Sequence, residues 1–271
     1  MSMLEVEITN KTYPNGTCTI DGLKFSAKQG EFVAIVGPSG SGKTTLLNII
    51  AGIDQKVEGR IMLNNQSRLS NEENKADIGF MFQEPRLMPW LTVKQNIEMV
   101  MTSLDSDPQQ KGAENPYLTK LLGQVGLAEF ADNFPSQLSG GMKRRASLVR
   151  AFINRPPLLL MDEPFQSLDE PTANALRQIL LDLWKDTQPM VLFITHTLRE
   201  ALALADRIIF LSDRPSKVIH ELIIDIPRPR NLEDDEINEL HAQLLNDYPQ
   251  LLSGSLEKSP QVVNASSKRM E

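Results

Sequence analysis

Gly37-Pro38-Ser39-Gly40-Ser41-Gly42-Lys43-Thr44-Thr45 fits the pattern G-x-x-x-x-G-K-[ST]. Glycines at 37, 40 and 42 can take φ > 0 and let the main chain come close to a ligand. Successive N–H groups can then line an anion nest at a helix start. Lys43 brings a mobile positive charge for β- and γ-phosphates, and the Thr44 hydroxyl suits Mg²⁺. Kinases, GTPases and motor ATPases share such a loop, so by itself it says only that a nucleotide phosphate binds. Asp162-Glu163 follows four apolar residues, Leu158 to Met161, and Pro164 ends the run. A carboxylate pair at a strand end suits metal and water chemistry, although a surface turn has the same composition. Gln83 closes the apolar stretch 78–82 just before Glu84-Pro85, and His196 closes Met190–Thr195. Tyr13 stands early in the chain. Its ring can stack on a nucleobase or lie buried in a turn, and the residues alone leave both open.

These residues need strands behind them. Phe32–Val36 reads as a buried strand before the glycine loop, and Leu46–Ala51 as a helix after it, with Gly52 as its stop. Leu4–Ile8 alternates with period two, Tyr13–Gly16 reads as a turn, and Ile20–Phe25 as a second strand. Glu58–Asn65 reads as a hairpin, residues 67–77 as a loop and residues 78–83 as a strand. Residues 92–154 are mostly helical, with helices at 96–104, 116–125, 127–133 and 143–152 and a polar loop at 105–115. That is an insertion of roughly 60 residues, the size of a small subdomain. Leu176–Asp186 and Leu198–Ala205 are predicted helices, and residues 207–211 and 218–224 the last strands. Strands alternating with helices argue for a parallel α/β sheet, with an antiparallel piece beside it. Ligands in such sheets bind at the strands' C-terminal ends. Gly37, Gln83, Asp162 and His196 fall at four of them.

The chain has 271 residues, 41% of them apolar and 23% charged, within the soluble globular range. A net charge of −7 argues against nucleic acid as a partner. The single cysteine, Cys18, excludes an internal disulfide and reads as a small core or edge residue. The first residues lack a signal-peptide pattern, and the apolar runs fall short of the ~20 residues that span a bilayer. The expected site is therefore cytoplasmic. After Pro227, residues 232–252 read as a helix with an acidic start suited to its dipole, and residues 253–271 as a disordered tail.

Leu138-Ser139-Gly140-Gly141 before a basic helix, followed about twenty residues later by an apolar run and Asp162-Glu163-Pro164, resembles the ATP-binding cassette (ABC) ATPase family. The resemblance runs to about residue 227, and six separated motifs agree in order. It implies a P-loop ABC core of mixed sheet with helices on both faces, plus the antiparallel piece and a helical subdomain at 92–154. The extension at 228–252 lies beyond that core. The resemblance implies that Gly37–Thr45 cradle ATP, that Tyr13 stacks on adenine, and that Gln83 contacts Mg²⁺ and the attacking water. It makes Asp162 a ligand of Mg²⁺ through water, Glu163 the general base, and His196 the residue that contacts the γ-phosphate. Residues 167–169 resemble the D-loop. Chemistry agrees: Thr44, Gln83 and Asp162 offer hard oxygen ligands, and Glu163 is the adjacent carboxylate that can orient water. Ser139, Gly140 and Gly141 resemble the signature loop, which meets ATP held by another copy. A head-to-tail dimer, or a paired cassette, with two ATP at its interface follows.

The short insertion disfavours the repair and chromosome-structure members, and a single cassette disfavours the translation factors. Leu87-Met88-Pro89-Trp90-Leu91-Thr92-Val93 and Asp162-Glu163-Pro164-Phe165 look like the nitrate/sulfonate/taurine/bicarbonate importer subfamily. Trp90 is either a core residue or part of a docking groove for a permease helix. Gln166 and Arg144 depart from the subfamily, where a small residue and glutamine often stand. The expected protein is a peripheral ATPase on the cytoplasmic face of the inner membrane. It powers uptake of small anions through an integral permease fed by an extracytoplasmic solute-binding protein. A non-transport ABC switch, or a cassette for another solute class, is the alternative.

Overall fold

In a computed structural model, which describes residues 3–69, 78–101, 115–255 and 262–265, the alternation at residues 4–8 becomes β1 (Met3–Thr12). Its Leu4, Val6 and Ile8 are buried and the residues between them exposed. The predicted loops at 67–77 and 105–115 and the tail from 253 fall largely outside the described residues. Contacts cluster the chain into two units, residues 1–74 with 190–271, and residues 75–189.

In the first unit, β1 pairs antiparallel with β2 (Cys18–Lys28) and with β4 (Glu58–Leu63). The predicted turn closes with the Gly16 N–H donating to the Tyr13 carbonyl at 2.9 Å. β3 (Phe32–Val36) is buried along its whole length. α1 (Lys43–Ile50) begins inside the glycine motif rather than at Leu46, with Gly42 at φ 103 as its cap. β4 and β5 (Gln66–Ser67) form the predicted hairpin through Asn64 and Asn65, at φ 53 and 65. Two consecutive positive values are the mark of a type I′ turn, and Asn tolerates them.

The second unit contains β6 (Ile78–Met81), parallel to β7 (Leu158–Asp162). Thr92 and Gln95 form a capping box that starts α2 (Val93–Glu98). Asn115 caps α3 (Pro116–Gln124), which has Pro at its first position. The segment predicted as a helix at 127–133 is a 3-10 turn over Ala128–Phe130. α4 (Gly140–Phe152) and α5 (Glu170–Thr187) both start earlier than apolar periodicity predicts, at 140 and 170 instead of 143 and 176. Their caps, Ser139 and Asp169, set the starts, and the first three residues of each helix, none of them buried, carry no apolar period.

The chain then returns to the first unit. β3 lies between β8 (Met190–Thr195) and β9 (Arg207–Leu211), parallel to both. α6 (Leu198–Leu204) joins those two strands. β10 (Val218–Ile224) is antiparallel to β9. Phe32, Ile35, Phe193 and Phe210 fill this core. The extension is docked: Arg230 donates to the carbonyls of Leu202, Ala205 and Ile226, and Arg228 to Asp206. α7 (Asp235–Asp247) and the turn after it bury Ile237, Leu244 and Leu251, each contributing on the order of 2 kcal/mol. Of the tail, the described residues include β11 (Val262–Ala265), which runs parallel to β10, whose outer edge offers backbone donors and acceptors. Among the described residues no helix is long and apolar enough to cross a membrane.

Candidate functional site

In the first unit, Val36 and Thr195 are register partners on β3 and β8. The glycine loop and His196 therefore leave neighbouring strands at the same level, and His196 is exposed there. Gly37 is packed so closely that a Cβ would lie 3.2 Å from the Leu211 Cβ. Gly40 and Gly42 carry φ of 79 and 103, and at Gly42 a Cβ would lie 2.6 Å from Thr19 Cγ2. Lys43 is buried, and its Nζ donates to the carbonyls of Gly37 and Pro38, both at 2.8 Å. That holds the ammonium inside the curve of the loop. Thr44 is exposed and Thr45 half-buried. The Tyr13 hydroxyl lies 3.1 Å from Thr45 Oγ1, so Tyr13 borders the loop. Its ring is partly exposed and carries the Lys11 ammonium 4.7 Å from its centroid.

In the second unit, Met81 pairs with Met161, which brings Gln83 and the carboxylate pair to one end of β6 and β7. Asp162 is the buried last residue of β7. Glu163 takes φ 45, a left-handed value that breaks the strand's alternation, so its carboxylate does not continue the pleat. The Gln83 amide donates to Gln166 Oε1 at 2.5 Å and reaches Glu163 Oε2 at 3.5 Å. Ser139 caps α4, its Oγ accepting from the Met142 N–H at 3.2 Å. Gly140 is open, whereas a Cβ at Gly141 would lie 2.9 Å from Thr172 Cγ2. Asp169, at the end of the 167–169 segment, caps α5 through the Thr172 N–H. Trp90 is 70% exposed and so is no core residue. A surface cavity of about 330 Å³ nearby is lined by Phe80, Phe82, Met88 and Val100 with Arg86 and Arg150.

Sequence alone misses the residues that hold these groups. Arg144 donates to the carbonyls of Phe82, at 3.2 Å, and Gln166, at 3.4 Å. Burial pulls its guanidinium below the ordinary value, and the Glu84 carboxylate opposes the shift. Arg150 donates to the carbonyls of Pro85 and Arg86. Buried Asn96 accepts from the Met88 N–H and donates to the carbonyls of Met88 and Leu91, shaping the loop that presents Trp90. One sequence signal points to Arg144: it stands four and seven residues before Leu148 and Ala151, on the same apolar stripe.

The donors fit a nucleotide's phosphates. α1 has no side-chain cap hydrogen bond at Gly42, and a helix start is where leading N–H groups and the dipole favour an anion, here beside the Lys43 ammonium. Among the described residues no cluster of three His, Cys, Asp or Glu side chains could hold a metal ion. Mg²⁺ keeps phosphate and water as most of its ligands, so an exposed hydroxyl beside the phosphates, as at Thr44, is the kind of protein donor it accepts.

Comparison with known proteins agrees. The ABC transporter family profile matches residues 20–166. The chain is 38% identical over 249 residues to the aliphatic sulfonates import ATP-binding protein SsuB 2 of Burkholderia lata, covering 92% of this chain and 87% of that protein. It is 38% identical over 246 residues to the uncharacterized ABC transporter ATP-binding protein MJ0412 of Methanocaldococcus jannaschii, covering 90% of each. Among solved structures, a dimeric post-hydrolysis state of the ATP-binding cassette MJ0796 bound to ADP and Pi superposes with a TM-score of 0.68 at 30% identity. That match covers 85% of this chain and 100% of the other. With its α/β fold, its phosphate loop and a family match over more than half its length, the chain belongs to the ABC transporter family and is an ATPase of the ATP-binding cassette type.

Proposed function

We propose that this protein is the ATP-hydrolysing subunit of an importer and drives solute uptake through a membrane permease. The observation that carries the reading is similarity over nine-tenths of the chain to a sulfonate import ATP-binding protein. Among the small anions of the subfamily (nitrate, sulfonate, taurine, bicarbonate), that similarity favours sulfonates. The exposed Trp90 and the apolar cavity near it support docking of a permease helix. The protein works on the cytoplasmic face of the membrane, with a solute-binding protein feeding the permease from outside.

ATP supplies the phosphoryl group, and Mg²⁺ neutralises its charge when bound. Gly37, Pro38, Ser39, Gly40, Ser41, Gly42 and Thr45 hold the phosphates by the loop's N–H groups, and Lys43 adds its charge. Tyr13 presents its ring to the adenine. Thr44, Gln83 and Asp162 would be the protein ligands of Mg²⁺, whose charge would offset that of the phosphates. Glu163 takes the proton of the attacking water on its carboxylate, and His196 bonds the γ-phosphate through its imidazole. Ser139, Gly140 and Gly141 serve the nucleotide of a second copy, so the working unit is a head-to-tail dimer.

The test is copurification under mild detergent. The full chain, tagged and expressed from its own genome, should elute with an integral permease. Consistent absence of a membrane subunit would favour a non-transport ABC switch and sink the importer reading.

A further inference from the structure

The connection between β9 and β10 moulds itself on the glycine loop, residue against residue. Leu211 closes on Gly37, so that a Cβ there would crowd it. Arg214 donates from both Nε and Nη2 to the Gly40 carbonyl, at 3.0 and 2.5 Å. Buried Ser216 donates its hydroxyl to the Ser41 carbonyl. A peptide unit is planar, so fixing a carbonyl also fixes the N–H on its other side. Arg214 thus orients the Gly40–Ser41 peptide, and Ser216 the Ser41–Gly42 peptide.

The connection is itself pinned. The Ser216 N–H donates to Thr19 at 2.8 Å, and the Asp21 N–H to Ser216 at 3.2 Å. Asp213 accepts from the Arg214 N–H at 2.7 Å, and Ser212 accepts from the Lys217 N–H at 2.9 Å. Gly254, two residues past the extension at 228–252, completes the mould. The Asp213 N–H donates to Gly254 at 3.3 Å. At φ 78, Gly254 sits so close that a Cβ would lie 2.4 Å from the Asp213 nitrogen and 2.9 Å from Pro38 Cγ.

We propose that Arg214 is a positioning residue for nucleotide binding: it clamps the Gly40 peptide so that the loop's donors face the phosphates, and Gly254, just past the extension, keeps that clamp in register. The proposal rests on the reading of Gly37–Thr45 as the phosphate loop. The exposed Arg214 supplies order to a glycine-rich segment that would otherwise lose much conformational entropy on binding. Its effect belongs in affinity, because the clamp acts on the loop before and after the chemical step alike.

The experiment uses the full chain with Mg-ATP, measuring affinity by calorimetry and turnover by phosphate release. Arg214→Ala should raise Kd and KM for ATP about threefold to tenfold, the range for the net contribution of an ordinary hydrogen bond. kcat should fall by less than KM rises, and the melting temperature without nucleotide should hold. Arg214→Lys should recover part of the loss, and the difference between Arg214→Ala and wild type should persist in high salt, where bare charge attraction is screened. Gly254→Ala should raise KM with Arg214 intact. An unchanged KM in Arg214→Ala, or a shift abolished by salt, overturns the clamp. Lys43→Ala separates the two readings. If it binds ATP normally, the phosphate-loop reading itself falls; if it loses ATP while Arg214→Ala is silent, only the clamp falls.

Discussion

Glu163 and Gln83 show how single side chains are held for work. A left-handed φ at a non-glycine residue costs about 1 kcal/mol or more and persists only where the surroundings enforce it. Asp162 inside the strand and Glu163 turned out of it give two adjacent carboxylates different surroundings, which suits the separate roles proposed for them. Glu163→Gln keeps size and backbone but cannot accept a proton. Phosphate release should fall about 10²–10⁴-fold while ATP affinity measured by calorimetry is retained; normal turnover would remove Glu163 from the role of base. Gln166, a departure from the subfamily pattern, is the hydrogen-bond partner that anchors the Gln83 amide, and Arg144 braces the backbone at both ends of that pair. Gln166→Ala should lower kcat about threefold to tenfold, since an exposed glutamine must then be ordered at each turnover. ATP affinity should stay constant, and an unchanged kcat would make the contact incidental.

At the scale of elements, caps and turns decide where groups sit. Ser139 and Asp169 start α4 and α5 at the two motifs, so the signature glycines lie in a helix's first turn rather than in a loop before it. The antiparallel sheet carries its own constraint at Gly59, where φ is 146 and a Cβ would lie 2.2 Å from the Glu7 carbonyl oxygen. The register of β1 against β4 shifts beside it, between Ile8 and Asn10. Gly59→Ala must push strands apart or bend one. It should destabilise the protein by about 2–3 kcal/mol. A thermal melt should show this as a drop of several degrees, and a melt within about one degree of wild type would mean that the sheet adjusts freely.

For the whole molecule, the buried His220 sets a pH limit. It lies between Phe210 and Tyr248, with ring centroids at 5.9 and 4.9 Å, and neither of its ring nitrogens has a hydrogen-bond partner among the described residues. Burial holds its imidazole below the ordinary 6.5, and the neighbouring Glu221 carboxylate opposes the shift. The unfolded chain protonates this residue first as pH falls. Stability is therefore intact above 6.5 and declines below it, until the depressed folded value is passed. His241 is depressed in the same sense by burial and by Arg199. Asp169, Asp182 and Asp186, held low chiefly by hydrogen bonds from Thr172, Lys185 and Lys120, lose their contribution only below the ordinary 3.8. His220→Phe should flatten the fall in melting temperature between about pH 7.5 and 5.5 and leave a residual slope from His241. An undiminished fall would acquit His220.

Much of this was legible in the residues. Period-two and period-3.6 patterns report directly which side chains meet the core, so β1, β3, β7 and β8 and the bodies of the helices after the last three, though not their starts, follow from apolar spacing. The glycine loop proposed to bind phosphate was readable as a motif, because its backbone freedom and its one lysine are both local in sequence. What local pattern could not carry are contacts made across long separations by polar atoms. Arg214 on Gly40, Gly254 beside Pro38, and Arg144 joining Phe82 to Gln166 each pair groups that no period relates. A hydrogen bond has direction and a reach near 3 Å, and only the folded chain determines which donor comes within it.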